Sequence, residues 1–226
     1  KNILIRVVTG SEEENFYLYG SSIQTLEPIT PINEASFNFM HADSEGLFFI
    51  TNLEADNYRL VKVSFSDFQM TEVVAEQDFA LKGASFVKDY LIADYIDHAD
   101  MSSEIKFFDH SGEKLDLQLP KSLKGTIGGF QSMGDNSIMF SVHSYTQPIQ
   151  YFTYNLTKDL LELVWEEKIP GFNPDDYVEI STHYESKDGT MVPITYSHKS
   201  SIKLDKNTPI FLYAYGGYNI SIRPAF

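Results

Sequence analysis

The sequence predicts a mainly β chain: a partial β-propeller built from four-stranded blades with a period of about 45 residues, followed by a segment of different character. Three observations carry that prediction. Short runs of β-branched and aromatic residues dominate, and Gly, Asn, Asp, Ser and Pro separate them at close intervals, which is the pattern of consecutive strands and turns. The runs recur at a fixed step: Leu4-Ile5-Arg6-Val7, Phe48-Phe49-Ile50-Thr51, Leu91-Ile92-Ala93-Asp94 and Ile138-Met139-Phe140-Ser141 start 44, 43 and 47 residues apart. Small residues recur beside them, as expected of the innermost strand at a crowded propeller axis. A sandwich has no reason to keep such a period.

Within each repeat the elements follow in order. The first strand carries Phe39, Phe86 or Phe130, in segments such as Gly83-Ala84-Ser85-Phe86-Val87 and Gly128-Gly129-Phe130. The recurring run above is the second. Its hairpin partner is Phe16-Tyr17-Leu18-Tyr19, Tyr58-Arg59-Leu60-Val61, Ile105-Lys106-Phe107-Phe108 or Tyr151-Phe152-Thr153-Tyr154, across polar connections that read as exposed tips. The fourth is Glu72-Val73-Val74, Leu115-Asp116-Leu117 or Leu161-Glu162-Leu163. The blades therefore run over 35–75, 83–119 and 126–165, preceded by a partial one without its first strand. Propellers usually close with about 4–8 blades, so further blades are expected before Lys1, and open strand edges otherwise invite self-association. The repeats lack a terminal Trp-Asp dipeptide, and the only tryptophan is Trp165, which argues against a WD40 propeller.

Composition narrows the function. The 226 residues carry 17 basic against 32 acidic side chains, a formal charge of −15. Such a chain repels phosphate backbones and anionic lipid, so neither nucleic acid nor a membrane surface is an expected partner. The absence of cysteine removes disulfides, zinc–thiolate sites and thiol nucleophiles. No apolar run approaches the roughly 20 residues that span a bilayer as a helix.

After the last blade the period stops. Pro170-Gly171-Phe172-Asn173-Pro174-Asp175-Asp176 reads as a connection between domains, dividing the chain into 1–172 and 173–226. Alternating residues from Tyr177 to Glu185 and from Met191 to Tyr196 flank Asp188-Gly189, a strong hairpin turn signal. The nearly continuous apolar run Thr208 to Tyr215 predicts a strand buried on both faces of a mixed or parallel sheet, ending at Gly216-Gly217. Those glycines serve either a tight turn or a close backbone approach to a ligand.

Two stretches, Tyr184-Glu185-Ser186-Lys187-Asp188-Gly189-Thr190-Met191-Val192-Pro193 and Tyr213-Ala214-Tyr215-Gly216-Gly217-Tyr218-Asn219-Ile220-Ser221, resemble the start of the catalytic domain in the prolyl oligopeptidase family. The order of blades, linker, hairpin and apolar strand matches that family's architecture, a seven-bladed propeller inserted in an α/β-hydrolase chain. The resemblance implies that 173–226 is the N-terminal portion of such a hydrolase domain. It also implies a serine peptidase that cleaves short proline-containing peptides after proline by acyl transfer. The propeller would restrict access to small substrates, and no cofactor would be needed. Tyr215 matches the tyrosine whose hydroxyl stabilises the oxyanion. Tyr218 matches an aromatic of the proline pocket, where the family commonly has Phe, and Gly216, Gly217 and Asn219 shape the loop. The family further implies a monomeric, cytoplasmic enzyme. Oligopeptidase B, which cuts after basic residues and tends to carry Gly-Ser-Tyr-Gly at this loop, is the alternative within the class. A non-catalytic propeller binding module is the alternative outside it.

Acyl transfer needs a nucleophile, a base and an orienting acid. The chain contains no Gly-x-Ser-x-Gly; Gly83-Ala84-Ser85-Phe86-Val87 begins like one and fails at its last position. In the family the serine, aspartate and histidine follow the aligned residues, so the 226-residue chain alone is expected to be inactive. The histidines His41, His98, His110, His143, His183 and His198 show no metal-type spacing and read as structural or solvated. Asp94, Asp97, His98, Asp100 and Glu104 crowd one hairpin without the spacing of a calcium loop, and read as a solvated tip. Glu12-Glu13-Glu14 reads as another tip.

Overall fold

The computed structural model describes residues 2–9, 13–20, 23–217 and 220–226. Its secondary structure is almost entirely antiparallel β. β1 (Asn2–Thr9), β2 (Glu13–Gly20) and β3 (Ile23–Pro28) form one sheet in chain order. β4 (Phe37–Ala42), β5 (Gly46–Thr51), β6 (Arg59–Ser64) and β7 (Met70–Val74) form the next. A three-stranded sheet follows, of β8 (Leu81–Val87), β9 (Tyr90–Ile96) and β10 (Ser103–Phe108). The last meander holds β11 (Thr126–Gly134), β12 (Ser137–His143), β13 (Gln150–Asn155) and β14 (Leu160–Glu166). A 3₁₀ turn at Pro174–Asp176 leads into the hairpin β15 (Tyr177–Glu185) and β16 (Met191–Lys199). Among the described residues no helix is long and apolar enough to cross a membrane.

The chain divides into two compact units, residues 1–95 with 106–116, and 96–105 with 117–226. In the first unit, the run Gly46-Leu47-Phe48-Phe49-Ile50-Thr51 is buried at every position. Alternation explains how: Leu47 and Phe49, with Val61 and Val63 of β6, face a cluster containing Phe16, Leu18, Ile29 and Phe37. Phe48 and Ile50, with Leu60 and Val74, face Leu81, Leu91, Ala93, Tyr95 and Phe108 on the other side. The strand thus packs against a neighbouring sheet on each face, which is why it lacks the polar alternation of a half-exposed strand. In the second unit, Ile127, Ile138, Phe140, Val142 and Tyr154 are buried. The Phe140 ring lies 5.5 Å from Phe130 and 6.1 Å from Phe152.

The strands fall where the repeat places them, with instructive departures. Leu115-Asp116-Leu117 forms no fourth strand: after one bridge between Phe108 and Lys114, and a hydrogen bond from the Leu115 amide to the Phe107 carbonyl, the ladder stops. Asp109 instead gathers the amides of Ser111 and Glu113 into a tight turn, and Pro120 downstream has no N–H for a ladder. Glu13 and Glu14 lie within β2, opposite Thr9 and Val8, rather than at a tip, and Glu14 pairs with Arg6; Glu12 lies outside the described residues. The small residues of the first strands are not crowded in this chain. A Cβ on Gly128 would meet nothing within 4 Å, and one on Gly83 only the Asp94 Cβ at 3.7 Å.

Candidate active-site loop and its anchorage

The second unit carries the residues of the terminal motif. Asn173 accepts the Asp175 amide at the start of the 3₁₀ turn, and the Ser200 amide donates to the Asp176 carbonyl at 2.7 Å, so both ends of the β15–β16 hairpin are tied together. Its register runs without a break from Tyr177↔Lys199 to Glu185↔Met191. Asp188 accepts from the Ser186 hydroxyl and the Thr190 amide, which hold its carboxyl down at about 2, and Gly189 takes the positive φ of 87° that closes the turn. The Asp-Gly signal therefore sits where the turn forms.

β15 also reaches the loops of two blade-like sheets. Glu179 accepts from the Ser144 hydroxyl at 2.9 Å and the Thr146 hydroxyl at 3.4 Å, in the β12–β13 connection. Burial first, and the Glu179 charge second, push the Tyr145 phenol upward. A ring nitrogen of His183 lies 3.0 Å from the His98 carbonyl. In the same connection as His98, Asp97 and Asp100 each accept a nearby backbone amide, from Ala99 and Ser102. Their carboxylates are occupied in local turns, and among the described residues no cluster of metal-ligating side chains assembles.

The expected buried strand over 208–215 is not formed. The segment 209–216 has no regular secondary structure; Ile210 is 85% and Phe211 91% exposed. A strand is held by its ladder, and among the described residues no other strand pairs with this one, so its apolar run stays in solvent. Tyr215 is 46% exposed and lies over Gly217: a Cβ built there would be 3.3 Å from the tyrosine oxygen. The Ile220 amide closes the loop by donating to the Gly217 carbonyl at 3.1 Å. Tyr218 and Asn219 lie outside the described residues.

Beyond the loop, the chain is pinned to β10 and β11. The Thr126 hydroxyl donates to the Pro224 carbonyl at 2.7 Å, and the Arg223 guanidinium donates to the Ser103 hydroxyl oxygen at 2.6 Å. Ser103 is itself fixed, because its oxygen accepts the Ile127 amide at 2.8 Å. Phe226 stands edge-on to Phe172 at 5.0 Å, and Phe172 stacks on Tyr177 at 4.8 Å. His143, the cross-strand partner of Thr126, has its imidazole pushed down first by burial and then by the Arg223 charge. Of the other histidines, His41 stacks on Phe86 at 4.3 Å, His110 meets the same ring edge-on at 5.6 Å, and His198 stacks on Tyr196. These are packing roles. No motif announced Ser103, Thr126, Glu179 or Arg223; they converge from positions far apart in sequence, and only their polar side chains marked them.

Antiparallel meanders of three or four strands in chain order, followed by a separate hairpin and a Tyr-Gly-Gly loop, define a propeller-type β protein. The family profile described as "Prolyl oligopeptidase, N-terminal beta-propeller domain" matches residues 1–167. A prolyl endopeptidase of Elizabethkingia miricola is 32% identical over 204 residues, covering 88% of this chain and 28% of the relative. A prolyl oligopeptidase of Omphalotus olearius is 29% identical over 202 residues, covering 85% and 26%. Among solved structures, one from work on two prolyl endopeptidases and the role of inter-domain dynamics in their catalysis and specificity superposes with a TM-score of 0.84. It is 25% identical and covers 100% of this chain and 33% of that one. Prolyl oligopeptidase B of Galerina marginata, bound to a 35-residue hydrolysis and macrocyclization substrate, shares the fold with a TM-score of 0.85 at 20% identity, covering 99% and 33%. The chain belongs to the prolyl oligopeptidase family. It spans 28% of the length of the first of these curated relatives.

Proposed function

We propose that the chain is part of a serine endopeptidase that cleaves short peptides on the carboxyl side of proline, with residues 1–172 contributing propeller blades and 173–226 opening the α/β-hydrolase domain. The observation that carries this is the family match over 1–167, continued by the Tyr215-Gly216-Gly217 loop directly after an apolar run. In this reading the Tyr215 hydroxyl donates to the carbonyl oxygen as it becomes an oxyanion, in a water-poor site where such a donor contributes most to the rate. Gly216 and Gly217 let the backbone pass close to the substrate, Asn219 completes the loop, and Tyr218 borders the proline ring. The serine nucleophile, its histidine base and the orienting aspartate belong to the remainder of the hydrolase domain. The propeller admits short, flexible peptides and excludes folded proteins.

The test is to express the complete reading frame that encodes this chain and assay chromogenic peptides with Pro, Arg or Lys before the cleaved bond. Preference for Pro, with covalent inactivation by a serine-directed phosphonate, supports the reading. Preference for Arg or Lys overturns the proline assignment, and absence of peptidase activity overturns the enzyme assignment. Tyr215→Phe is expected to lower kcat about 10²-fold with little change in KM, as loss of one oxyanion donor does elsewhere.

A further inference from the structure

We propose that Ser103 and Thr126, two residues of the β10–β11 region, are positioning residues that hold the Tyr215 loop in place through Arg223 and Pro224. The inference rests on the oxyanion reading of Tyr215 and adds to it an anchor outside the hydrolase segment. Contacts and a short stretch of backbone connect the tyrosine to these holders. Tyr215 packs over Gly217, Gly217 is bonded to the Ile220 amide, and three residues later Arg223 and Pro224 are held side by side. Their holders belong to strand ends, not to mobile tips: Thr126 opens β11 opposite His143, and Ser103 opens β10 with its oxygen fixed by the Ile127 amide. The Ser103 amide donates to the Gly125 carbonyl at 2.9 Å, so the two holders form one hydrogen-bonded unit.

The chemistry suits a position-setting role. Arg223 brings its cation to a neutral hydroxyl, and the Thr126 hydroxyl donates to a carbonyl that no helix or ladder otherwise uses. Pro224, which is buried, restricts φ at the anchor point. The Arg223-Pro224 pair clamps the C-terminal side of the loop. The clamp therefore helps to set where the tyrosine hydroxyl stands, and a displacement of about 1 Å is enough to lower a rate about 10²-fold.

The experiment uses the enzyme expressed from the complete reading frame, with Thr126→Val, Arg223→Met, Thr126→Ser and Tyr215→Phe, alone and combined. Thr126→Val and Arg223→Met are each expected to lower kcat about 5–10-fold with KM within about twofold, and Thr126→Ser to restore the rate. Placed in the Tyr215→Phe background, the two variants are expected to lower kcat little further, because the group they position is gone. Thermal unfolding is measured alongside. Unchanged kcat in both single variants overturns the proposal, as does a fall fully additive with Tyr215→Phe, or one that tracks loss of folded protein. If Tyr215→Phe itself leaves kcat unchanged, the oxyanion reading fails and the anchor's role falls with it, an outcome separate from the others.

Discussion

Phe49 is fully buried, with its ring edge-on to Phe16 at 4.9 Å, Phe39 at 5.8 Å and Phe37 at 6.1 Å. Replacing it with alanine removes the centre of a cluster that joins two sheets, and the surrounding rings cannot collapse fully into the space. Phe49→Ala is expected to destabilise the chain by about 3–5 kcal/mol, read as a lower urea midpoint. His143 supplies a pH dependence. Its imidazole is lowered from the ordinary 6.5 by burial and by Arg223, so the unfolded chain binds the proton more readily than the folded one. The stabilisation is therefore complete above pH 6.5 and is lost as the pH falls through the lowered folded value. His143→Gln is expected to flatten the acid side of the stability profile relative to the parent; an identical slope in both would show that other groups carry it.

At the scale of elements, the start of β11 depends on Gly125. Its φ of +110° is costly for any residue with a side chain, and a Cβ there would stand 2.2 Å from the His143 carbonyl oxygen. Gly125→Ala is expected to be more disruptive than removing a buried methyl group, with exchange protection lost first at the amides of Ser103 and Ile127, which border it. The β15–β16 hairpin has its own signature. Asp188 is held at about 2 by Ser186 and Thr190, below the ordinary 3.8, so the turn is stabilised above pH 3.8 and loosens as the pH falls toward 2. Hydrogen exchange at the Thr190 amide is expected to speed up over that window relative to an unstructured peptide, and Asp188→Ala to remove the pH dependence. This turn was legible in the sequence because Asp-Gly chemistry is local. The missing strand over 115–117 was not, because its alternation is the same whether or not a ladder continues beside it.

For the whole molecule, the edges matter. β14 ends its sheet with Leu163 48%, Val164 58% and Trp165 51% exposed. An edge strand with apolar side chains and free backbone groups is a template for pairing. The 226-residue chain expressed alone is expected to associate with rising concentration in light scattering, and Val164→Lys to reduce it. A monodisperse monomer at all concentrations would contradict this. The exposed run 210–213 adds to the same tendency.

The sequence by itself determined where most of the strands lie, how often the meander repeats and where the Asp-Gly turn falls. It did so because side-chain alternation and turn chemistry are set by a few neighbouring residues. It also displayed the Tyr215-Gly216-Gly217 motif. Only the tertiary structure decided that the β5 strand is covered on one face by each of two clusters, that the apolar run over 208–215 stands in solvent, and that Thr126 meets Pro224 while Ser103 meets Arg223. These partners lie 98 and 120 residues apart. Whether such groups meet depends on registers and packing accumulated over every element between them, and no local pattern in the chain encodes that sum.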